Sequence, residues 1–277
     1  MKLFRKVSFI LIMSLMMILV AGCTKKEDKK NKVIRLSTTT SVNDSGLLPY
    51  LQDSFEKDTG YKLEITSAGT GAAIEKGRVG DADCLLVHAK ASEEEFIAEG
   101  YGISREVLMY NYFVIIGPED DPAGITGSTS AEEAFSKIME SKSNFVSRGD
   151  DSGTNKAELK IWKSLNIDPS QEDWYISTGQ GMGASIIVAA EKGAYIFTDK
   201  ATYLSHEQKD QSRLLLEESD DLKNTYSAIS ISTDKWPDTN IEGANTFIDW
   251  MKSDKAKKMI SSYGVDEYGE QLFWVNE

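Results

Sequence analysis

Short apolar runs alternate with stretches of helical period along most of this chain, and that alternation points to parallel strands covered by helices. Val33–Ser37 reads as a strand, Ser45–Asp58 as a helix with Leu47, Leu48, Leu51 and Phe55 on one face, and Tyr61–Thr66 as a second strand. A short helix over Thr70–Val79 and a strand over Ala82–His88 follow. The next helix is entered at Ser92, with Glu93, Glu94 and Glu95 in its first turn and Gly100 at its exit. Val107–Ile116 is the longest apolar run after the N-terminal segment, and Gly117-Pro118 breaks it, which predicts a crossing between two lobes. Beyond it come a helix capped by Ser130, the strand Phe145–Ser147, the helix Thr154–Leu165, the strand Trp174–Ser177, a helix from Gly181 and the strand Ala194–Thr198. Thr225–Ser232 alternates like a strand that carries the chain back, and two amphipathic helical faces follow, Ala244 to Met251 and Ala256 to Ile260.

The N-terminus reads as an address. Lys2, Arg5 and Lys6 precede the apolar stretch Val7–Ala21, which is short for a membrane span and suits a signal-peptide core. Val20-Ala21-Gly22-Cys23 resembles a bacterial lipoprotein signal, so residues 1–22 are expected to be removed and Cys23 to carry lipid. Residues 23–32 contain the polar run Lys25–Lys32, expected to be a solvated tether.

Of the 277 residues, 31 are Lys or Arg and 44 are Asp or Glu, a net of −13. Removing the three bases of the signal and the five bases and two acids of the tether leaves 23 bases and 42 acids from Val33 onward, a net of −19. Such a body is a poor partner for nucleic acid, which needs a basic face. Two Cys and two His offer little for a structural zinc site or a disulfide framework. Cys84, in an apolar run, reads as a buried strand residue, and no cofactor is expected.

Four segments share one design, in which a strand ends and hydroxyl or glycine residues lead into a helix. They are Ser37–Ser41, Ser67–Gly71, Ser147–Thr154 and Gly179–Gly183. Helix N-termini at the carboxyl ends of strands offer free N–H groups and a partial positive charge, Ser and Thr add hydroxyl donors, and Gly lets backbone approach closely. Together they predict a donor-rich cleft for an anion. Arg148 is the only full positive charge among them, Asp150 is placed to pair with it, and Asp151 reads equally as a solvated cap.

These residues resemble the signature segments of the tungstate-binding proteins of ABC importers. The likeness rests on Thr38-Thr39-Thr40-Ser41, Gly69-Thr70-Gly71, Ser147–Thr154 (SRGDDSGT), Thr178–Ala184 (TGQGMGA) and Glu191–Tyr195, and it runs from about Val33 to the C-terminus. It implies a periplasmic-binding-protein-like α/β fold of two lobes, with mixed, mostly parallel sheets flanked by helices and a hinge of two strands. Residues 33–112 plus 228–277 would form one lobe and 113–227 the other. It implies a monomeric receptor, lipid-anchored on the extracytoplasmic face of the membrane, that passes its anion to an ABC permease and its ATPase subunit. The implied ligand contacts are the threonines of Thr38–Ser41, above all Thr39, Thr40 and Ser41, with Ser67, Gly69, Thr70, Arg148, Ser152, Gly153 and Thr154. Gly181, Met182 and Gly183 are expected beside them from the fourth junction. One departure is Asn155, where the family usually has His.

Tungstate, molybdate and sulfate carry no proton at neutral pH and suit a site of donors, whereas phosphate keeps a proton and needs an acceptor. A phosphate or sulfate receptor of the same fold is the alternative, since Arg148–Thr154 also resembles phosphate-binding proteins. A secreted hydrolase is a weaker rival: Ser152 could be set with His88 or His206, but neither His lies in a hydroxyl-rich junction and no Gly-x-Ser-x-Gly turn occurs. His88 reads as a packed or capping residue and His206 as part of a solvated helix.

Overall fold

The computed structural model describes residues 32–207 and 209–276. The expected signal segment, Cys23 and the tether before Lys32 lie outside these residues. In chain order the strands are β1 (Val33–Thr39), β2 (Lys62–Ala68), β3 (Cys84–Val87), β4 (Gly102–Gly117) and β5 (Phe145–Ser147). β6 (Tyr175–Ser177), β7 (Tyr195–Asp199), β8 (Arg213–Leu216), β9 (Lys223–Ile231) and β10 (Trp274–Val275) complete them. The helices are α1 (Thr40–Asp44), α2 (Leu47–Thr59), α3 (Thr70–Arg78), α4 (Lys90–Ala98), α5 (Ala131–Ser141) and α6 (Gly153–Ser164). After them come α7 (Met182–Lys192), α8 (Lys200–Ser205), α9 (Ile241–Met251), α10 (Asp254–Ser262) and α11 (Val265–Tyr268).

The sheet runs β2-β1-β3-β9-β4-β7-β5-β6, with β8 and β10 added on β4. Pairing is parallel toward both ends, where β1 lies between β2 and β3 and β5 lies between β6 and β7. It is antiparallel in the middle, and every antiparallel pair involves β4 or β9. The strand pattern alone suggested a larger parallel share, because β8 and β10 leave too short an apolar trace to be foreseen. β4 changes partners along its length: Gly102 to Tyr112 face β9, while Phe113 to Ile116 face β7. Apolar clusters flank both parallel groups, one built on Ile34, Leu36, Leu51, Phe55 and Phe247, another on Phe113, Phe135, Phe145, Trp162 and Tyr195.

Local chemistry explains most boundaries. α2 buries Leu47, Leu48, Leu51 and Phe55, and stops at Gly60, whose φ of 72° lies in the left-handed region. The Ser130 hydroxyl accepts from the Glu133 N–H and starts α5. α4 departs from expectation. It begins at Lys90 because the Glu93 carboxylate reaches back to the Ala89 N–H (2.6 Å), which leaves Ser92 inside the helix. His206 is likewise not within a helix; it follows the last residue of α8. Cys84 is fully buried, as its apolar run predicts, and Trp162 belongs to the core.

Candidate functional site

Three of the four junctions meet. At the first, β1 ends at Thr39 and α1 begins at Thr40; Thr39 and Ser41 are each 2% exposed. At the second, β2 ends past Ser67, Gly69 caps α3, and Thr70 is fully buried. At the third, β5 ends at Ser147 and Ser152 caps α6, its hydroxyl accepting from the Asn155 N–H at 3.2 Å. The second and third junctions are in near contact: a Cβ on Gly69 would lie 3.4 Å from the Asp150 carbonyl oxygen and 3.7 Å from Ser152 Cα. Arg148 reaches the first, with Nη2 3.5 Å from Thr40 Oγ1.

Arg148 is 2% exposed and its guanidinium is held by Asp150, Nε at 3.1 Å and Nη2 at 2.5 Å from Oδ2. The other Asp150 oxygen accepts the Ser152 N–H. Asp150 thereby orients the one cation here and has its acceptor oxygens engaged by donors of its own loop. Asp151, by contrast, has an exposed side chain 3.4 Å from Lys156, as a solvated residue would. Two hydroxyls at the site, Thr70 Oγ1 and Thr154 Oγ1, are buried without a hydrogen-bond partner. Buried polar atoms are nearly always paired, so two orphans on adjoining helix starts mark a place where a ligand's acceptors fit.

Thr38 differs from its expected role, since its hydroxyl donates to the Leu86 carbonyl at 2.7 Å and is not available to a ligand. Ser41 is central but occupied. Its oxygen lies 3.1 Å from His88 Nε2, 3.1 Å from Thr39 Oγ1 and 3.3 Å from the Tyr226 hydroxyl. His88 therefore joins the first junction in space although not in sequence, because β3 ends beside β1. Burial pushes its imidazole down to about 4, with the Arg148 charge adding, so the ring is neutral at pH 7. With Asn224 Oδ1 facing Nδ1 at 2.8 Å, the ring proton sits on Nδ1, and Nε2 accepts the Ser41 hydroxyl. Asn224 donates in turn to Asn111 at 2.8 Å and to Tyr226 at 3.1 Å. Ser41, His88 and Asn224 thus align like a hydrolase triad, and the serine meeting His88 is Ser41 rather than Ser152. An imidazole at about 4 is a poor general base at neutral pH, so this alignment serves to fix the Ser41 hydroxyl.

The fourth junction supports the third. Gln180 N–H donates to the Arg148 carbonyl, and the Thr178 hydroxyl lies within reach of the Ser147 and Arg148 carbonyls. The Met182 side chain packs into the core with Val146 and Ile186, so its backbone alone is free to meet a ligand. Gly183 faces His206: a Cβ on this glycine would lie 3.5 Å from Nε2. Gly181 caps α7 and offers its first-turn N–H groups no side-chain acceptor.

Sequence reading missed Glu158. It is 2% exposed beneath the third junction and accepts from Ser147 (2.6 Å), Tyr175 (2.6 Å), Trp162 (3.1 Å) and Asn155 (3.5 Å). Burial raises its carboxyl to about 7. Asn155 donates to Ser147 and accepts the Asp151 N–H, a structural role within the third junction. No group of three or more His, Cys, Asp or Glu that could hold a metal ion occurs among the described residues.

Residues 26–255 match the family profile described as PBP superfamily domain. The tungstate-binding protein TupA of Peptoclostridium acidaminophilum is 41% identical over 282 residues, covering 98% of this chain and 98% of that protein. Among solved structures, the tungstate binding protein TupA from Desulfovibrio alaskensis G20 is 43% identical with a TM-score of 0.76, covering 88% of this chain and 98% of that one. The tungstate ABC transporter structure from Geobacter sulfurreducens is 40% identical with a TM-score of 0.77, covering 83% of this chain and 98% of that one. With family profile, fold and 41% identity over nearly the whole chain in agreement, the chain belongs to the PBP superfamily and, within it, to the TupA family of solute-binding proteins.

Proposed function

We propose that this protein captures tungstate, or a similar proton-free tetrahedral oxyanion, and delivers it to an ABC permease driven by an ATPase subunit. The observation that carries the reading is the pair of buried, unpartnered hydroxyls of Thr70 and Thr154 on two helix starts beside the buried Arg148. Taking a dianion out of water is costly unless its oxygens meet donors. Each hydrogen bond to a charged group contributes roughly 1.5–3 kcal/mol, so about six donors from these junctions suffice without a matching count of cations. The net of −19 is no obstacle, since remote carboxylates are screened over about 8 Å while donors touch the ion. Asp150 is engaged by Arg148 and Ser152, so it is not a free acceptor for the proton that phosphate carries.

In this reading Thr39, Thr40, Ser67, Gly69, Thr70, Arg148, Ser152, Gly153 and Thr154 surround the anion, with backbone help from Ser41 and from Gly181–Gly183. The lobes formed by residues 33–112 plus 228–277 and by 113–227 close on it about β4 and β9, which excludes water. Cys23 carries lipid and holds the monomer on the extracytoplasmic face of the membrane, and the protein itself catalyses nothing. Calorimetric titration with tungstate, molybdate, sulfate and phosphate tests the reading. Tungstate should bind and phosphate should not, and Arg148→Ala should weaken tungstate about 10–100-fold, the worth of one charge-assisted bond. Tungstate binding at parental strength in that variant, or heat from phosphate alone, would assign the site wrongly.

A further inference from the structure

A groove of about 940 Å³ opens beside the site, with His88 and Gly153 at its inner wall. Its outer walls are basic in a body that is otherwise strongly acidic. Lys156, Lys160 and Lys163 come from α6, Lys90 and Arg105 from the region of α4 and β4, and Lys223 from the start of β9. Three of these cations are paired, Arg105 with the buried Glu93 at 2.6 Å, Lys156 with Asp151 at 3.4 Å and Lys90 at 3.7 Å with Glu94, the one acid lining the groove, which leaves Lys160, Lys163 and Lys223 in excess. The three α6 lysines follow the helical period, so one face of this helix presents cations while its N-terminus lies at the third junction. Like charges at this spacing oppose helix stability, and Lys160 and Lys163 are exposed with no carboxylate partner among the described residues. From Val33 onward acids outnumber bases 42 to 23, so paired or mixed surface is the ordinary expectation, and this concentration of one sign needs another reason.

We infer that the groove is an electrostatic funnel: its lysines draw a doubly charged oxyanion out of solution and concentrate it against the wall of His88 and Gly153, beside the junctions. This rests on the oxyanion reading of the site and adds to it the control of capture rate. A cleft of one sign raises the local concentration of its counter-ion, and steering of this kind speeds association by about 10–10³ at low salt. At physiological salt it works against a net charge that repels anions at long range, because there the remote acids are screened beyond about 8 Å and the groove sets the local field. The lysines do not touch the bound ion in this arrangement, so they change arrival and leave retention to the junctions.

Stopped-flow tryptophan fluorescence with tungstate, on the full chain at low and high ionic strength, separates these rates. Replacing Lys160, Lys163 and Lys223 together by Gln removes charge from both walls while keeping long polar side chains, of similar helix propensity at Lys160 and Lys163. We expect association to slow about tenfold at low ionic strength, its salt dependence to flatten, and dissociation to stay within twofold of the parent. The same three positions replaced by Arg should associate at the parental rate, which a purely structural role for the lysines does not predict. Unchanged association in the Gln variant, or a loss confined to dissociation, overturns the funnel while leaving the site reading intact. Failure of the parent to bind tungstate in calorimetry instead overturns the site reading itself, so the two failures are distinct.

Discussion

Glu158 is the residue whose environment most departs from its ordinary chemistry. Four donors converge on its carboxyl from Ser147, Asn155, Trp162 and Tyr175, yet burial outweighs them and raises it to about 7. A folded-state value above the unfolded one of 4.5 means that the native state holds this proton more tightly. Its contribution to stability is therefore complete below about 4.5 and is lost as pH rises through about 7. The span corresponds to about 3 kcal/mol. His88 works in the opposite sense, because its value near 4 makes acid unfavourable to the fold, so only a difference between proteins isolates Glu158. Glu158→Gln keeps the shape and removes the titration. The stability gap between parent and variant, from urea melts at pH 4.5 to 8, should move by up to that amount in favour of the variant as pH rises. A gap independent of pH would mean that Glu158 does not titrate in this range.

At the scale of elements, the site depends on where helices begin against strands. α6 starts beneath the His88 ring: a Cβ on Gly153 would stand 2.7 Å from Nε2 and 2.8 Å from Nδ1. Both nitrogens are hydrogen-bonded within a packed wall of Phe113 and Tyr226, so the ring has little room to withdraw. Gly153→Ala should therefore cost about 1–3 kcal/mol in denaturant melts and loosen the Ser41–His88 contact. In the background of His88→Ala, which removes the ring, the same change should cost well under 1 kcal/mol. Equal costs in both backgrounds would show that the close approach is not what requires glycine. Much of this architecture was legible in advance, since the alternation of apolar runs marked β1, β5, β7 and β9 to within two residues, and the Ser130 and Gly181 starts were read from cap chemistry. The four junctions were also visible as runs of Ser, Thr and Gly. The supporting polar residues were not, because their partners lie far away in the chain: His88 meets Asn224, and Arg148 meets Thr40, more than a hundred positions apart. A signal did exist in Asn111, the amide that interrupts Val107–Ile116, because a polar group inside a buried strand has to find a partner. Glu158 carried a similar one, sharing a helix face with Ile161 and Trp162.

For the whole molecule, the consequential feature is that one sheet serves both parallel groups and that β4 and β9 run through its centre. Residues contributing to the candidate site come from β1–α1 and β2–α3 on one side of these strands and from β5–α6 and β7-adjacent α7 on the other. An anion held by both sides links segments that otherwise communicate through β4 and β9. Its binding energy then adds to the cooperative stability of the entire unit Val33–Glu277 instead of one half. Mass action gives the size: a ligand at 100 times its dissociation constant stabilises the native state by about 2.7 kcal/mol. For a chain of this length each kcal/mol raises the midpoint by about 2–4 °C, so tungstate in that excess should lift a single melting transition by about 5–10 °C. Phosphate at equal concentration should leave it unmoved. A melt that splits in two, with only one component raised by tungstate, would place the anion within one group of strands and remove the reason for a closure about β4 and β9.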